Sequence, residues 1–146
     1  MECKKVLFPT DFSEGALKAL PYAVDLARHF SARLYLVHVV YDIATASGLY
    51  VPHVSINEMY KEIESGALKE LEKFGYALRK DIKDVEYHVL RGVPYEEIIK
   101  FAADNAVDLI VIGTHGRRGI DRVLFGSTAE RVVRYAKCPV LTVRGG

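Results

Sequence analysis

Residues Gly113 to Thr128, GTHGRRGIDRVLFGST, place four glycines, three arginines and one histidine between the apolar run DLIVI and a well-patterned helix. The chemistry these residue types share is the holding of an anion. Gly113, Gly116 and Gly119 allow positive φ and close approach of bare backbone to a ligand. Gly126 and Ser127 lead into a helix whose first N–H groups lack intrahelical acceptors and favour negative charge. Arg117, Arg118 and Arg122 add charged donors suited to phosphate oxygens, and His115 can donate to phosphate or act as a base near neutral pH. The spacing is not a Walker loop, since no Gly-Lys-Ser/Thr occurs, and it is not the dinucleotide Gly-x-Gly-x-x-Gly.

Each of these residues also has a plainer reading. The arginines can be solvated surface charges. Ser127 with Glu130 is a capping box in its own right, and Asp11 with Glu14 would cap the first helix without touching any ligand. His29, His38, His53 and His88 are scattered without metal-ligand spacing and read as structural, so no protein metal site is assigned.

The elements that must position the loop follow from periodicity. Lys4 to Pro9 reads as a buried strand, Ser13 to Phe30 as a helix with Leu17, Leu20, Val24 and Ala27 on one face, and Arg33 to Val40 as a second strand. Ser55 with Glu58 signals a helix running to Lys80; Val85 to Leu90 is a third strand; Pro94 opens a helix to Asn105; Asp108 to Ile112 is a fourth strand. Ser127 opens a helix to Lys137, and Pro139 to Val143 is a fifth strand. Strands alternating with helices, several of them continuous apolar runs, indicate an α/β fold whose parallel sheet is covered on both faces. In such a sheet the ligand site lies beyond the carboxyl ends of the strands, which is where the glycine-rich loop begins.

Composition limits the functions available. A chain of 146 residues, 50% hydrophobic and 27% charged, is expected to form a single domain spanning 1–146. Twenty Lys and Arg against nineteen Asp and Glu leave a net charge of +1, which gives no global attraction to nucleic acid or to an anionic membrane. No signal-peptide core and no run of spanning length occurs, so the expected location is cytoplasmic. Cys3 and Cys138 lack metal spacing, which fits a reducing compartment. Gln is absent and Asn occurs only at Asn57 and Asn105, a shortage of thermolabile amides that hints at heat adaptation.

Gly113-x-x-Gly116, then nine residues, then Gly126-Ser127 resembles the G-x-x-G-x9-G-S/T signature of the ATP-binding branch of the universal stress protein family. VLFPTDFSEGALKAL resembles the opening strand and helix of that family, LYLVHVV its second strand, and AERVVRYAKCPVLTVR its closing helix and edge strand, so the likeness covers essentially the whole chain. It implies an open five-stranded parallel sheet of order 3-2-1-4-5, of the adenine nucleotide alpha hydrolase-like kind, with ATP at the switch point between strands one and four. Carried over by position, it implies that Asp11 bonds ribose and adenine, that the Val39 backbone meets the adenine edge, and that Pro9 and Thr10 shape that wall. Gly113 would approach the ribose and Val140 would lie near the sugar. Gly116, Gly126, Ser127 and Thr128 would surround the phosphates, with His115 and Arg117 beside them. Mg²⁺ or Mn²⁺ would arrive with the triphosphate, held by phosphate oxygens and water.

The expected function is that of an ATP-binding stress-response or regulatory protein whose nucleotide state alters a surface or dimer read by protein partners. A slow ATPase or phosphotransferase, and an interaction module that binds no nucleotide, remain open beside it. Two further expectations come with the fold. Tyr41 to His53 is long for an α/β connection and is either a lid or a plain connector. Strand five is an edge with no internal proline or charge between Val140 and Val143, so it invites a two-fold homodimer through Pro139 to Val143, an assembly the family resemblance also implies. With strand four between strands one and five, Cys3 and Cys138 should lie roughly 10 Å apart, beyond disulfide reach.

Overall fold

In a computed structural model of the chain, which describes residues 1–42, 53–114 and 126–144, the apolar runs pair as five parallel strands. They are β1 (Lys5–Pro9), β2 (Arg33–Tyr41), β3 (Val85–Gly92), β4 (Leu109–Gly113) and β5 (Val140–Val143), in the order β3-β2-β1-β4-β5. The order and the α/β class agree with the sequence reading. The helices are α1 (Glu14–Leu17), α2 (Leu20–Phe30), α3 (His53–Leu78), α4 (Pro94–Asp104) and α5 (Ser127–Tyr135).

Alternation along the strands builds two cores. Val6, Phe8, Leu34, Leu36 and Val111 face Ala19, Ala23 and Ala27 of the α2 region and Leu71 of α3. Leu7, Tyr35, Val37, Ile110 and Ile112 face Ile98, Phe101 and Ala102 of α4 with Ala129 and Val132 of α5. Each fully buried large side chain contributes about 1.5–3 kcal/mol by leaving water, so the sheet is fastened from both sides. The small alanines let α2 lie close against β1.

Several expected boundaries shift, each for a local reason. The single helix expected from Ser13 to Phe30 is two helices, because Pro21 has no N–H to give to the Leu17 carbonyl and its ring crowds that turn. Ser13, not Asp11, caps α1, accepting from the Ala16 N–H at 3.2 Å. Helix α3 begins at His53, so Ser55 lies inside its first turn and is not the cap that a capping box requires. Gly126 is the N-cap of α5 with φ −63 and ψ 154, which makes Ser127 the first helical residue; no side-chain capping bond forms there. Both cysteines are free thiols, as the strand order requires.

Candidate functional site

The site is built around the carboxyl end of β1, where both of its ladders stop. The backbone of Lys5, Leu7 and Pro9 faces β4, while Lys4, Val6, Phe8 and Thr10 face β2, as the bonds Thr10 N–H to Val37 C=O (2.8 Å) and Arg33 N–H to Lys4 C=O (2.9 Å) show. The next rung toward β4 would need an N–H at Pro9, which proline lacks. Pairing with β4 accordingly ends at Leu7↔Ile110, and the two strands part above that point. This opening is the topological switch point, the place where a doubly wound sheet holds its ligands.

One wall is the turn from Thr10 to Ser13, in which successive groups are pinned. The Phe12 N–H donates to Thr10 Oγ1 at 3.0 Å and the Ser13 N–H to Asp11 Oδ1 at 2.9 Å. The Thr10 carbonyl accepts from His38 Nδ1 at 2.8 Å. Phe12 has φ 64, the left-handed region that a bulky residue rarely occupies, with its ring 4.7 Å from that of His38 and 6.1 Å from that of Phe74. Asp11 is half-buried. Its Oδ1 serves the turn, and a carboxylate has capacity for further donors.

The opposite wall is formed by β4 and α5. Gly113 lies at the end of β4 against α1: a Cβ there would stand 2.6 Å from the Gly15 carbonyl oxygen. Its φ is not positive, so the sequence expectation of a left-handed glycine does not hold at 113; this glycine is required by the backbone of α1 passing over it. Thr114, buried, donates its N–H to Val143 C=O at 3.0 Å and accepts from the Gly126 N–H. That pair of bonds sets the start of α5 beside the end of β4. The Ser127, Thr128 and Ala129 N–H groups, in the first turn of α5, have no acceptor inside the helix. Ser127 is exposed and Thr128 half-buried.

Pro9, Thr10 and Asp11 thus lie at the carboxyl end of β1, and Gly113 with Gly126, Ser127 and Thr128 at the carboxyl end of the neighbouring β4. Val39 joins them: its backbone faces the same way as that of Val37, toward the line of β1, at a level where β1 has already ended. Val140 does not. It sits opposite Ile110 at the start of β5, three residues and about 10 Å below the carboxyl edge, beside the core that α4 and α5 cover. His115, Gly116, Arg117, Arg118, Gly119 and Arg122 lie outside the described residues, as does most of the Tyr41 to His53 segment.

Sequence reasoning took His38 as one structural histidine among four and passed over Thr114 and Gly15. The signal for His38 was available, since LYLVHVV is an apolar strand interrupted by one polar ring near its carboxyl end. Thr114 follows a run of buried aliphatics and is itself buried, which marks a backbone or hydroxyl role. At the other end of the sheet, burial and then the Asp108 carboxylate push the thiols of Cys3 and Cys138 up, which makes both poor nucleophiles. Among the described residues no group of three His, Cys, Asp or Glu side chains is placed to hold a metal ion, and no helix is long and apolar enough to cross a membrane.

Comparison with known proteins agrees with this architecture. A universal stress protein of Methanocaldococcus jannaschii is 41% identical over 97% of this chain and 82% of its own length. The structure of universal stress protein UspA from Lactobacillus plantarum superposes with a TM-score of 0.88 at 26% identity, covering 99% of each chain. A family protein from Arabidopsis thaliana, solved with AMP bound, has the same fold with a TM-score of 0.68 at 18% identity, over 98% of this chain and 92% of that one. The model of the Universal stress protein family matches residues 2–144, and with that match and the first relative the chain belongs to the universal stress protein family.

Proposed function

We propose that the protein is an ATP-binding stress-response or regulatory protein, one nucleotide-binding domain over residues 1–146, in which nucleotide occupancy alters a surface or a dimer that protein partners read. The observation that carries this reading is the opening above Pro9, with acceptors on one side and helix N–H groups on the other. A carboxylate such as Asp11 accepts from two ribose hydroxyls. The N–H and C=O of one extended residue, Val39, match the acceptor and donor on an adenine edge. The first turn of α5, at Gly126, Ser127 and Thr128, suits phosphate oxygens. His115, Gly116 and Arg117 belong to the phosphate side through the sequence signature alone.

The donor set fits an adenine nucleotide, and the Arabidopsis thaliana protein with AMP supports the fold as a host for one. Mg²⁺ or Mn²⁺ would come with the triphosphate, its ligands being phosphate oxygens and water. When bound, ATP supplies a concentrated negative charge that the α5 N-terminus and the arginines after Gly116 answer, and the protein groups bind and orient it. The dimer of the proposal uses β5, where the backbone of Val140 and Thr142 faces away from β4 and can pair with a second copy.

Calorimetric titration of nucleotide-free protein with ATP and with adenosine tests the reading. Saturable binding near one ATP per chain is expected, with adenosine weaker. No heat and no thermal stabilisation at millimolar ATP would overturn it, and rapid turnover in a single-turnover assay would replace the regulatory reading with an enzymatic one.

A further inference from the structure

His38 lies one residue beyond the last pair of the β1–β2 ladder, Pro9↔Val37. In a continuing ladder the Val39 N–H would donate to the Thr10 carbonyl. That oxygen instead receives the His38 Nδ1–H at 2.8 Å. A carbonyl can only accept, so the contact fixes Nδ1 as the nitrogen that carries the proton. The imidazole also lies against Phe12, ring centroids 4.7 Å apart, and Phe12 holds a left-handed backbone with φ 64 that an aromatic residue keeps only when its surroundings impose it. The same turn carries the Asp11 carboxylate, through the Phe12-to-Thr10 and Ser13-to-Asp11 bonds.

The geometry points to His38 as the positioning residue of the nucleotide site: its Nδ1–H draws the Thr10 carbonyl out of the sheet ladder, which reserves the Val39 backbone for a purine edge and turns Asp11 toward the ribose. This assignment rests on the nucleotide reading above for its ligand, but not for its geometry. His38 itself need not touch the ligand. The proline at 9 ends the ladder on the β4 side by lacking a donor, and the histidine at 38 ends it on the β2 side by supplying a competing one. Together they open both flanks of β1, on the β4 side beyond Leu7 and on the β2 side beyond Pro9.

Three variants of the full chain test it: His38→Leu, which keeps apolar bulk and removes the donor; His38→Asn, whose Nδ2 stands near the position of Nδ1; and His38→Gln, whose amide reaches the Nε2 position instead. Amide hydrogen exchange of the ligand-free protein is read first. In His38→Leu the Phe12 and Ser13 amides should exchange about tenfold faster, while Leu34 and Leu36 in the same strand keep their rates, and His38→Asn should restore the slow rates. ATP affinity should fall about tenfold in His38→Leu and recover in His38→Asn. Combining His38→Leu with Asp11→Ala should weaken binding by less than the product of the single changes, because part of the His38 effect passes through the Asp11 carboxylate. If the leucine variant does not fold, the contrast between asparagine and glutamine decides in the same way. Unchanged Phe12 and Ser13 exchange in the donor-less variants overturns the assignment whatever the ligand is. Altered exchange with no ATP binding by the unmodified protein overturns the nucleotide reading and leaves the positioning geometry standing.

Discussion

The carbonyl oxygen of Gly15 occupies the space that a side chain at Gly113 would need, 2.6 Å from the position of its Cβ. The end of β4 and the first turn of α1 therefore meet through bare backbone. Replacing Gly113 with Ala should lower the stability of the ligand-free protein by about 1–3 kcal/mol, because α1 must move outward. Chemical denaturation measures this directly. Were Gly113 needed only for ligand approach, alanine would leave ligand-free stability equal or raise it by about 0.4–1 kcal/mol through the unfolded chain.

Asp11 accepts from the Ser13 N–H and, in the proposed function, from the ribose, and two substitutions tell these roles apart. Asp11→Asn keeps an oxygen for the Ser13 N–H and so should retain stability, whereas Asp11→Ala should lose about 0.5–1.5 kcal/mol. Both should weaken adenosine, AMP and ATP alike, by about tenfold or more, since a ribose contact is common to all three. Calorimetry with the three ligands checks the pattern, and a loss seen with ATP alone would contradict the ribose role.

At Gly126 the backbone is extended, φ −63 and ψ 154, and any residue can adopt it. Gly126→Val should therefore fold, with a loss of no more than about 1 kcal/mol for the poorer cap. Its β-branched side chain stands where the helix start would receive phosphate. ATP affinity should fall at least about tenfold while adenosine affinity changes little; equal losses for both would move the phosphates away from α5.

The edge strand separates two proline substitutions that look equivalent in the sequence. Pro139 C=O accepts from the Ile110 N–H and Val143 C=O from the Thr114 N–H, so residues 139, 141 and 143 face β4 while Val140 and Thr142 face outward. Thr142→Pro removes a donor from the open edge and should turn a β5 dimer into a folded monomer. Leu141→Pro removes a donor from the β4 ladder and should destabilise the domain by about 3 kcal/mol or more. Sedimentation at micromolar concentration, with thermal melting alongside, reads both; an unmodified protein that sediments as a monomer with and without ATP rules out the dimer.

Burial holds the protons on Cys3 and Cys138, with Asp108 adding to it. The native protein thus binds more protons than the unfolded chain once pH passes the ordinary thiol pKa of about 8.5. The stabilisation is fully present below that value and is lost as pH rises through the raised native pKa. Stability measured by denaturant should accordingly decline above about pH 8.5, and less steeply in a Cys3→Ala, Cys138→Ala double variant compared with its own neutral-pH value. Alkylation by iodoacetamide at pH 8 should be much slower in the folded protein than in urea.

Strand positions were legible because Val, Ile and Leu runs between polar turns leave few alternatives, and the glycine spacing with its flanking strands led to the sheet order. Pro21 was visible but was read over, since Leu17, Leu20 and Val24 keep helical spacing across the break. Ser127 and Glu130 satisfy a capping pattern that only the dihedral of Gly126 can refuse. The left-handed backbone at Phe12 was not legible at all: its ring packs against those of His38 and Phe74, which come from β2 and α3. Val140, which the likeness places near the sugar, stands opposite Ile110 at the first position of β5, a register that the sequence alone does not reveal.

The bond from the Gly126 N–H to the Thr114 carbonyl has a meaning for the chain as a polymer. It fastens the two ends of residues 115–125 to each other, at the end of β4 and the start of α5. Loop closure then depends on length only logarithmically, and doubling that segment costs roughly 0.6 kcal/mol in closure entropy. Insertions between Arg117 and Leu124 should leave the melting temperature almost unchanged, because the Gly126-to-Thr114 bond holds the start of α5 beside the end of β4 whatever the length of chain between them.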